Sequence, residues 1–253
     1  MVSARAVYPQ GTRLKKIISA MAKISDEAIF DFTPSSSVYW LFSPDKTVLA
    51  IIRMEPSVYE EYAVDGEVKL SVNVGELNRV TRRATRNDAI ALQYETGALG
   101  LTVELQDKKS GFSRSFTVTA SETSEESLRE INMSPTARVV LSADDMETLI
   151  SDAKSIGDIL ELHAVDNRLE AKASAEGKSY QWTMTLGSPL QELSAEAETR
   201  ASYSAKSLYS SLRSLTTIAE SMTLEFATDY PLKVSVSMSG PEQVVVYIAP
   251  VQA

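Results

Sequence analysis

Four arginines in this sequence are spaced so that a helix would bring them together. Arg79, Arg82, Arg83 and Arg86 follow one another at i, i+3, i+4 and i+7, and side chains at these spacings share one face of an α-helix. Like charges so placed destabilise an isolated helix by about 0.2–0.5 kcal/mol per pair. The spacing therefore favours an anionic partner, bound through backbone phosphates without sequence preference. A solvated basic face, neutralised by acids elsewhere, is the alternative.

The residue types that carry catalysis are sparse. The chain has no cysteine and one histidine, which excludes disulfides, thiolate metal sites and thiol catalysis. That histidine, His163, lies in the strand-like pattern ILELHAV, where a structural role is expected. Gly177-Lys178-Ser179 resembles the end of a phosphate loop, but Lys172 stands where the first glycine is required. We expect no metal, no cofactor and no enzymatic activity.

The net charge of −9 is unevenly distributed. Residues 1–120 carry a net charge of +1, whereas residues 137–253 carry −7, so the first half can hold a concentrated basic surface. No apolar run approaches the roughly 20 residues needed to span a bilayer. The first ten residues lack the apolar core of a signal peptide. We expect a cytoplasmic protein without a membrane partner.

An internal repeat organises the chain. Residues 65–105 and 194–238 both have the pattern strand, amphipathic helix, strand, turn, strand, with Leu77 matching Leu208 and Leu99 matching Leu232. Two copies of this size predict two similar domains, each with its own core. Chance similarity between two amphipathic stretches is the alternative.

Amphipathic patterns predict two helices in each half. Leu14, Ile17, Ile18 and Met21 form an apolar stripe at helical spacing, and alternation typical of strands dominates elsewhere. Two helices and several antiparallel strands per repeat predict an α+β fold. The predicted helices are Thr12–Lys23, Val74–Arg86, Ser142–Ala153 and Ala205–Ala219.

The repeats are separated by a polar segment. Residues 120–136 are rich in serine, threonine and glutamate and contain Pro135, which is typical of a solvated linker. Leu128, Ile131 and Met133 are its large apolar residues, and they either fix it to the body or form a docking site. We therefore predict domains over 1–119 and 137–253, joined by a connecting loop over 120–136.

Four motifs resemble those of the DNA sliding clamps of the proliferating cell nuclear antigen family, in their archaeal form. They are ARAVYPQGTRLKKII at Ala4–Ile18, SIGDILEL at Ser155–Leu162, DYPLKVSVSM at Asp229–Met238 and VVVYIAP at Val244–Pro250. The resemblance covers essentially the whole chain. It implies the DNA-clamp fold, in which three two-domain chains form a six-domain ring with helices lining the hole. Its implied function is that of a processivity factor, which encircles duplex DNA and tethers DNA enzymes.

The resemblance also implies which residues face DNA. An acidic outer surface with a basic lining would reconcile the net charge with a DNA partner. The family often has a basic residue on the third helix, where this chain has Ser151 or Asp152. The expected DNA contact is therefore stronger in the first domain. By motif position the resemblance implies Lys15, Lys16, Arg79, Arg82, Lys206 and Arg213. The residue pattern of the first two predicted helices adds Arg13, Lys23, Arg83 and Arg86 as candidate DNA-binding residues.

Partner enzymes of such clamps dock at the connecting loop through short peptides with aromatic and aliphatic anchors. The implied clients are a DNA polymerase, a clamp loader, a flap endonuclease and a DNA ligase. Ser43 replaces the aspartate usual after the second strand, and the loop is unusually acidic. The candidate pocket residues are Leu49, Leu128, Ile131, Met133, Tyr230, Pro231, Ala249 and Pro250.

Two segments resemble edge strands without a partner in their own repeat. Unpaired edges favour association with another chain, and a head-to-tail ring would join one edge to the other. Ordinary internal pairing is the alternative. The candidate subunit-interface residues are Phe112, Arg114, Phe116 and Val118 in the first segment, and Lys178, Tyr180 and Trp182 in the second.

Alternative functions and assemblies are compatible with parts of this pattern. A scaffold that binds only proteins would also use a rigid repeat, although the basic face disfavours it. A hydrolase based on carboxylates is disfavoured because no convergent acid pair lies at a glycine-rich turn. Other clamp subunits are implied partners, but the ring could be a homotrimer or a heterotrimer of related chains.

Overall fold

A computed structural model describes residues 3–124 and 128–251, so residues 125–127 of the predicted connecting loop lie outside the described residues. The chain divides into two compact units, both α+β. The first comprises Met1–Pro44, Ala50–Leu128 and Gly240–Gln243. The second comprises Asp45–Leu49, Arg129–Ser239 and Val244–Ala253.

The first half of the chain contains two helices, ten strands and a short 3₁₀ turn at Pro56–Val58 within its described part. In chain order these are β1 (Ser3–Tyr8), α1 (Gly11–Ile24), β2 (Glu27–Thr33), β3 (Ser36–Phe42), β4 (Val48–Met54), β5 (Glu61–Asp65), β6 (Val68–Asn73), α2 (Val74–Thr81), β7 (Asp88–Glu95), β8 (Leu101–Asp107), β9 (Ser113–Val118) and β10 (Ala120–Glu122).

The second half repeats the succession from β1 to β9 and adds one short strand, β15, while its described residues contain no counterpart of the 3₁₀ turn or of β10. In chain order its elements are β11 (Ala137–Ser142), α3 (Ala143–Ile156), β12 (Ile159–Val165), β13 (Arg168–Ala175), β14 (Lys178–Leu186), β15 (Pro189–Leu190), β16 (Glu192–Ala195), β17 (Thr199–Ser204), α4 (Ala205–Thr216), β18 (Ser221–Phe226), β19 (Leu232–Ser237) and β20 (Gln243–Ile248).

The strand order is the same in both halves. Strands β5-β1-β7-β8-β9 lie side by side, and β16-β11-β18-β19-β20 lie in the corresponding order. Neighbours within these two sets pair antiparallel. The remaining strands also correspond, as β6-β2-β3-β4 and β17-β12-β13-β14, whereas the additional strand β15 pairs parallel with β14. The repeat seen in the sequence is therefore a repeat of topology.

Apolar stripes and alternation explain these elements. The stripe of α1, including Leu14 and Ile17, is fully buried, and its removal from water stabilises the helix by about 25 cal/mol for each Å² of apolar surface. On β2 the inward residues Phe30 and Phe32 alternate with half-buried polar ones, and Phe30 stacks on Tyr39 with ring centroids 4.0 Å apart. Each described helix thus covers a sheet with its apolar face.

The helix over Val74–Arg86 was predicted too long. The helix α2 ends at Thr81, and the backbone N–H groups of Arg83 and Ala84 donate to carbonyls three residues earlier. The buried carboxylate of Asp88 accepts the Thr85 N–H at 2.7 Å, which turns the chain into β7. The prediction for α4 was also too long, since it ends at Thr216.

The segment that was predicted as a connecting loop from residue 120 begins with the strand β10. Ala120 is buried, and β10 pairs with β6 so that Ala120 lies opposite Val72. The segment therefore begins as a sheet strand, and residues 123–124 and 128–135 are coil. Among the described helices, none is long and apolar enough to cross a membrane.

Candidate nucleic-acid interface and partner surfaces

The helices α1 and α2 form the basic part of the first unit. Asn73 caps α2 by accepting the Glu76 N–H at 2.8 Å. The Ser19 hydroxyl donates to the side-chain amide oxygen Oδ1 of Asn78 at 2.9 Å, which joins the two helices. On α1 the predicted residues Lys16 and Lys23 are exposed. These two ammonium groups are available to an anion.

The other two cations of α1 are engaged within the unit. The Arg13 guanidinium lies 2.8 Å from a carboxylate oxygen of Glu242, whose side chain is 2% exposed. Glu242 also accepts the hydroxyl of Tyr8, and burial together with this contact raises the pKa of Tyr8. Half-buried Lys15 donates to the Ala84 carbonyl at 3.2 Å. The structure therefore uses Arg13 for a buried ion pair, a role that the sequence did not reveal.

The four predicted arginines of the first unit do not share a helical face. Arg79 lies in the last turn of α2, Arg82 is its C-cap, and Arg83 and Arg86 lie in the turns that follow. All four side chains are nevertheless exposed. Within the described part of the chain, Arg79, Arg82 and Arg86 form no ion pair. The basic surface persists although its predicted helical geometry is wrong.

Arg83 has a second contact. Its guanidinium carbon lies 5.1 Å from the ring centroid of Phe116 on β9, within the range of a cation–π interaction. This contact places Arg83 beside the outermost strand of its sheet.

The cations of the second unit are weaker candidates. Arg213 on α4 forms an ion pair with Glu147 on α3 at 2.8 Å, and Lys154 lies over the ring of Tyr209 at 4.2 Å. Lys206 is exposed. Exposed Asp144 and Asp152 lie on α3, so the helices of this unit present both signs of charge.

These surfaces can bind phosphates but offer no assembled catalytic group. Among the described residues, no three His, Cys, Asp or Glu side chains form a group that could hold a metal ion. His163 is buried between two carboxylates, with Nε2 2.8 Å from Glu198 and Nδ1 3.8 Å from Glu170. Its environment is that of a structural histidine.

A second candidate surface lies at one end of β19 and β20. Leu232 pairs with Ile248, so the preceding Tyr230-Pro231 and the following Ala249-Pro250 lie at the same end of these strands. The Ala249 N–H donates to the Thr47 carbonyl at 2.8 Å. Tyr230 is 51% exposed, and Pro231, Ala249 and Pro250 are half-buried. Leu49 is 7% exposed.

Sequence reasoning missed the residue that organises this surface. The hydroxyl of fully buried Tyr203 donates to the Tyr230 carbonyl at 3.0 Å, and the backbone of Tyr203 forms a β-bridge with Pro250. Tyr203 therefore positions both sides of the surface. The alternation of apolar and polar residues along β17 indicates that the Tyr203 side chain points inward. The sequence gives no signal that its partners are Tyr230 and Pro250.

The apolar residues of the connecting loop follow β10. Ile131 is 36% exposed and Met133 is half-buried in the coil before β11, within the second unit. Half-buried Leu128 falls in the first unit.

The predicted edge strands lie at the margins of their sheets. β9 pairs with β8, and β14 pairs with β13 and, at Thr185 and Leu186, with the short β15. Phe112 is 77% exposed and precedes β9, while Arg114 forms an ion pair with Asp88 at 3.1 Å.

Side chains on these margins differ in exposure. Phe116, Tyr180 and Trp182 are half-buried and Lys178 is exposed. Val118 is fully buried, so its side chain belongs to the core of the first unit and only its backbone lies at the margin.

Comparison with known proteins identifies the family. Residues 1–127 match the model of the proliferating cell nuclear antigen N-terminal domain. A DNA polymerase sliding clamp 2 of Sulfurisphaera tokodaii is 24% identical over 97% of this chain and 98% of its own length. A DNA polymerase sliding clamp 1 of Saccharolobus solfataricus is 23% identical over 97% and 98%.

Solved structures show the same fold. The proliferating cell nuclear antigen of Thermococcus kodakaraensis superposes with a TM-score of 0.87 at 20% identity, covering 98% of this chain and 100% of that one. The corresponding protein of Entamoeba histolytica gives a TM-score of 0.89 at 15% identity and covers both chains fully. The chain belongs to the proliferating cell nuclear antigen family.

Proposed function

We propose that this chain is a subunit of a sliding clamp, a DNA polymerase processivity factor that encircles duplex DNA and holds DNA enzymes on it. The proposal depends chiefly on the exposed cations beside α1 and α2 of the first unit, in a chain whose net charge is −9. They contact phosphates, which are the same at every sequence. The rest of the surface is acidic and repels DNA, so DNA is attracted only to the basic lining.

The chain acts without catalysis or cofactor. Its client enzymes dock at the surface formed by Tyr230, Pro231, Ala249 and Pro250 together with Ile131 and Met133 of the connecting loop. Half-exposed aromatic and proline residues beside a polar loop suit the aliphatic and aromatic anchors of a short peptide. A DNA polymerase, a clamp loader, a flap endonuclease and a DNA ligase are the proposed clients.

Topological linkage to circular DNA distinguishes a clamp from a protein that merely binds DNA. The purified chain is incubated with a clamp loader, ATP and a nicked circular duplex, and DNA-bound protein is separated by gel filtration in high salt. A ring is retained on the circle and is released when the same circle is cut once by a restriction enzyme. Equal retention on circular and cut DNA contradicts encirclement, and no retention on either favours a scaffold that binds only proteins.

A further inference from the structure

The turn that follows β7 repeats the turn that carries Tyr230. The segments 96–100 and 227–231 each contain five residues, and each connects two neighbouring strands of its own unit. The fourth residue of both turns is large, apolar and exposed, since Leu99 is 98% exposed and Tyr230 is 51% exposed. Leu99 therefore has the place in the first unit that Tyr230 has in the proposed client surface of the second.

The backbone beside these turns is repeated as well. Two residues after the end of β9, Ala120 lies opposite Val72 of β6. Two residues after the end of β20, Pro250 forms its bridge with Tyr203 of β17. Val72 and Tyr203 each precede the residue that caps the following helix. The first unit thus carries the same backbone frame as the proposed client surface, with different side chains on it.

A cavity of about 440 Å³ opens beside the turn of Leu99, and Thr96 of that turn lines it. The other described residues of its lining belong to or adjoin β6, β7 and β10, and not β9 or β14, the strands of the predicted ring contact. The hydroxyl of buried Tyr94 donates to a carboxylate oxygen of Glu122 at 3.0 Å, which fixes Glu122 in the wall. A cavity next to an exposed apolar side chain suits the alternate side chains of an extended peptide.

The cavity is acidic. Glu67 and Glu122 in its lining are exposed. The Lys69 ammonium lies 3.2 Å from a carboxylate oxygen of Glu67 and 3.9 Å from one of Asp31, so this cation is held by carboxylates of its own unit. Exposed Glu95 ends β7 immediately before the turn. Carboxylates therefore outnumber the single ammonium, and the complementary ligand group is a cation.

We infer that Leu99, Thr96, Glu67 and Glu122 form an additional docking surface, the Leu99 surface, for an extended segment of a partner protein. The segment places an arginine or lysine in the cavity, where carboxylates accept its N–H groups, and an aliphatic side chain against Leu99. This chemistry differs from that of the proposed clients, whose anchors are aromatic and aliphatic. The inference takes the proposed client surface as its template, but its test uses neither DNA nor a clamp loader.

Peptide selection tests the chemistry of the occupant. A phage library of random short peptides is selected on the immobilised full chain and, in parallel, on the variant Leu99→Ala/Glu122→Gln. Sequences enriched on the parent alone should combine arginine or lysine with a nearby aliphatic residue. A fluorescein-labelled copy of the most enriched sequence should bind Glu122→Gln about tenfold more weakly in fluorescence anisotropy, the loss expected from one charge-assisted contact.

Two further variants separate recognition from folding. Asp158→Asn/Ile159→Ala makes the same kinds of change at two exposed residues of the second unit and should bind the selected peptide as the parent does. Glu122→Lys should reject that peptide and bind a copy in which glutamate replaces the basic residue, because the two charges exchange places. Leu99→Ala should weaken the selected peptide and not a client peptide, since the proposed client surface uses other residues.

Each outcome is decisive. Sequences that are basic and aliphatic and that require Leu99 and Glu122 support the inference. Peptides enriched equally on the parent and the double variant overturn it, and discriminating peptides without a basic residue overturn the stated occupant. A change in assembly mass of Leu99→Ala/Glu122→Gln in light scattering makes the surface a contact between copies of the chain, which also overturns the inference. A parent chain that is not retained on circular DNA contradicts the proposed function and leaves this inference standing.

Discussion

At the scale of single residues, the charge of a side chain does not reveal whether it is available to a ligand. Arg13 and Lys16 lie three residues apart on α1, yet one is held by Glu242 and the other is exposed. A buried carboxylate without its partner is costly because its charge is removed from water. Arg13 therefore contributes to the stability of the first unit, and Lys16 contributes to its surface potential.

Replacing Arg13 separates these two roles. We expect Arg13→Ala to lower the free energy of unfolding by about 3 kcal/mol, the lower end of the range for breaking a buried ion pair. Lys16→Ala removes the same charge from the same helix and should leave stability within about 0.5 kcal/mol. Urea unfolding followed by circular dichroism measures both, and equal stabilities would contradict the structural role of Arg13.

Tyr203 offers a second test at this scale. Tyr203→Phe removes only the hydroxyl that donates to the Tyr230 carbonyl, so the buried ring still fills its space. We expect the affinity for a synthetic client peptide to fall by about 1 kcal/mol, the typical net contribution of one hydrogen bond, because Tyr230 is less well positioned. Titration calorimetry measures it. The control Tyr209→Phe changes a half-buried tyrosine on α4 and should bind the peptide normally.

At the scale of elements, the sequence predicted which helices exist more accurately than it predicted the residues at which they end. The apolar stripe of Leu14, Ile17, Ile18 and Met21 placed α1 to within one residue at each end, because burial of that stripe determines the helix. The end of α2 depends on the carboxylate of Asp88, a residue of the next strand, so local periodicity could not show it. The sequence predicted that Leu99 corresponds to Leu232 in the repeat, which is wrong, because Leu99 is 98% exposed. The residue that corresponds to Leu232 is Leu101, since each begins its strand.

The accessible arginines around the end of α2 predict a salt effect. Removal of one phosphate contact should reduce the slope of log affinity against log salt concentration by about 0.9. Arg79→Ala/Arg82→Ala should therefore flatten the slope by about 1.8 for each copy that touches DNA. The thermal midpoint should stay unchanged, because neither side chain is buried.

The matched control removes two cations from a strand instead. Arg168 and Lys172 on β13 are both bound to Glu170, so Arg168→Ala/Lys172→Ala changes the net charge equally. DNA binding measured by fluorescence anisotropy between low and high salt compares the two variants. The same slope change in both would mean that net charge, and not the surface beside α2, governs binding.

The connecting loop gives a prediction for client binding. Leu128→Ala/Ile131→Ala should reduce the affinity for a client peptide by about 2–4 kcal/mol, as for other buried anchor residues. The thermal midpoint should change little, since both residues lie in coil with few core contacts. Leu99→Ala truncates a fully exposed leucine in the β7–β8 turn and should bind normally. Unchanged affinity of the loop variant in titration calorimetry would exclude the loop from the docking site.

At the scale of the whole molecule, a repeat of topology leaves the chain with two unlike margins. Because β9 and β14 belong to different halves and different positions within the repeat, a contact between them in the proposed ring would be heterologous. Heterologous contacts form rings when the rotation per subunit closes and filaments when it does not. The sequence showed the repeat and both strands, but the exposures of Phe112 and Leu186 required the folded chain.

A heterologous β9–β14 contact in the proposed ring makes a prediction that an isologous contact cannot meet. Phe112→Asp damages only the β9 side and Leu186→Asp only the β14 side, and both positions are exposed in the single chain, so each variant should fold. In a solution of either variant alone, every β9–β14 contact would include the new carboxylate, so each variant should be monomeric by light scattering. When the two variants are mixed in equal amounts, the intact β14 side of the first variant can meet the intact β9 side of the second. The expected product is a dimer of twice the chain mass and no ring. Dimers formed by either variant alone, or a mixture that stays monomeric, would show that these two margins do not meet.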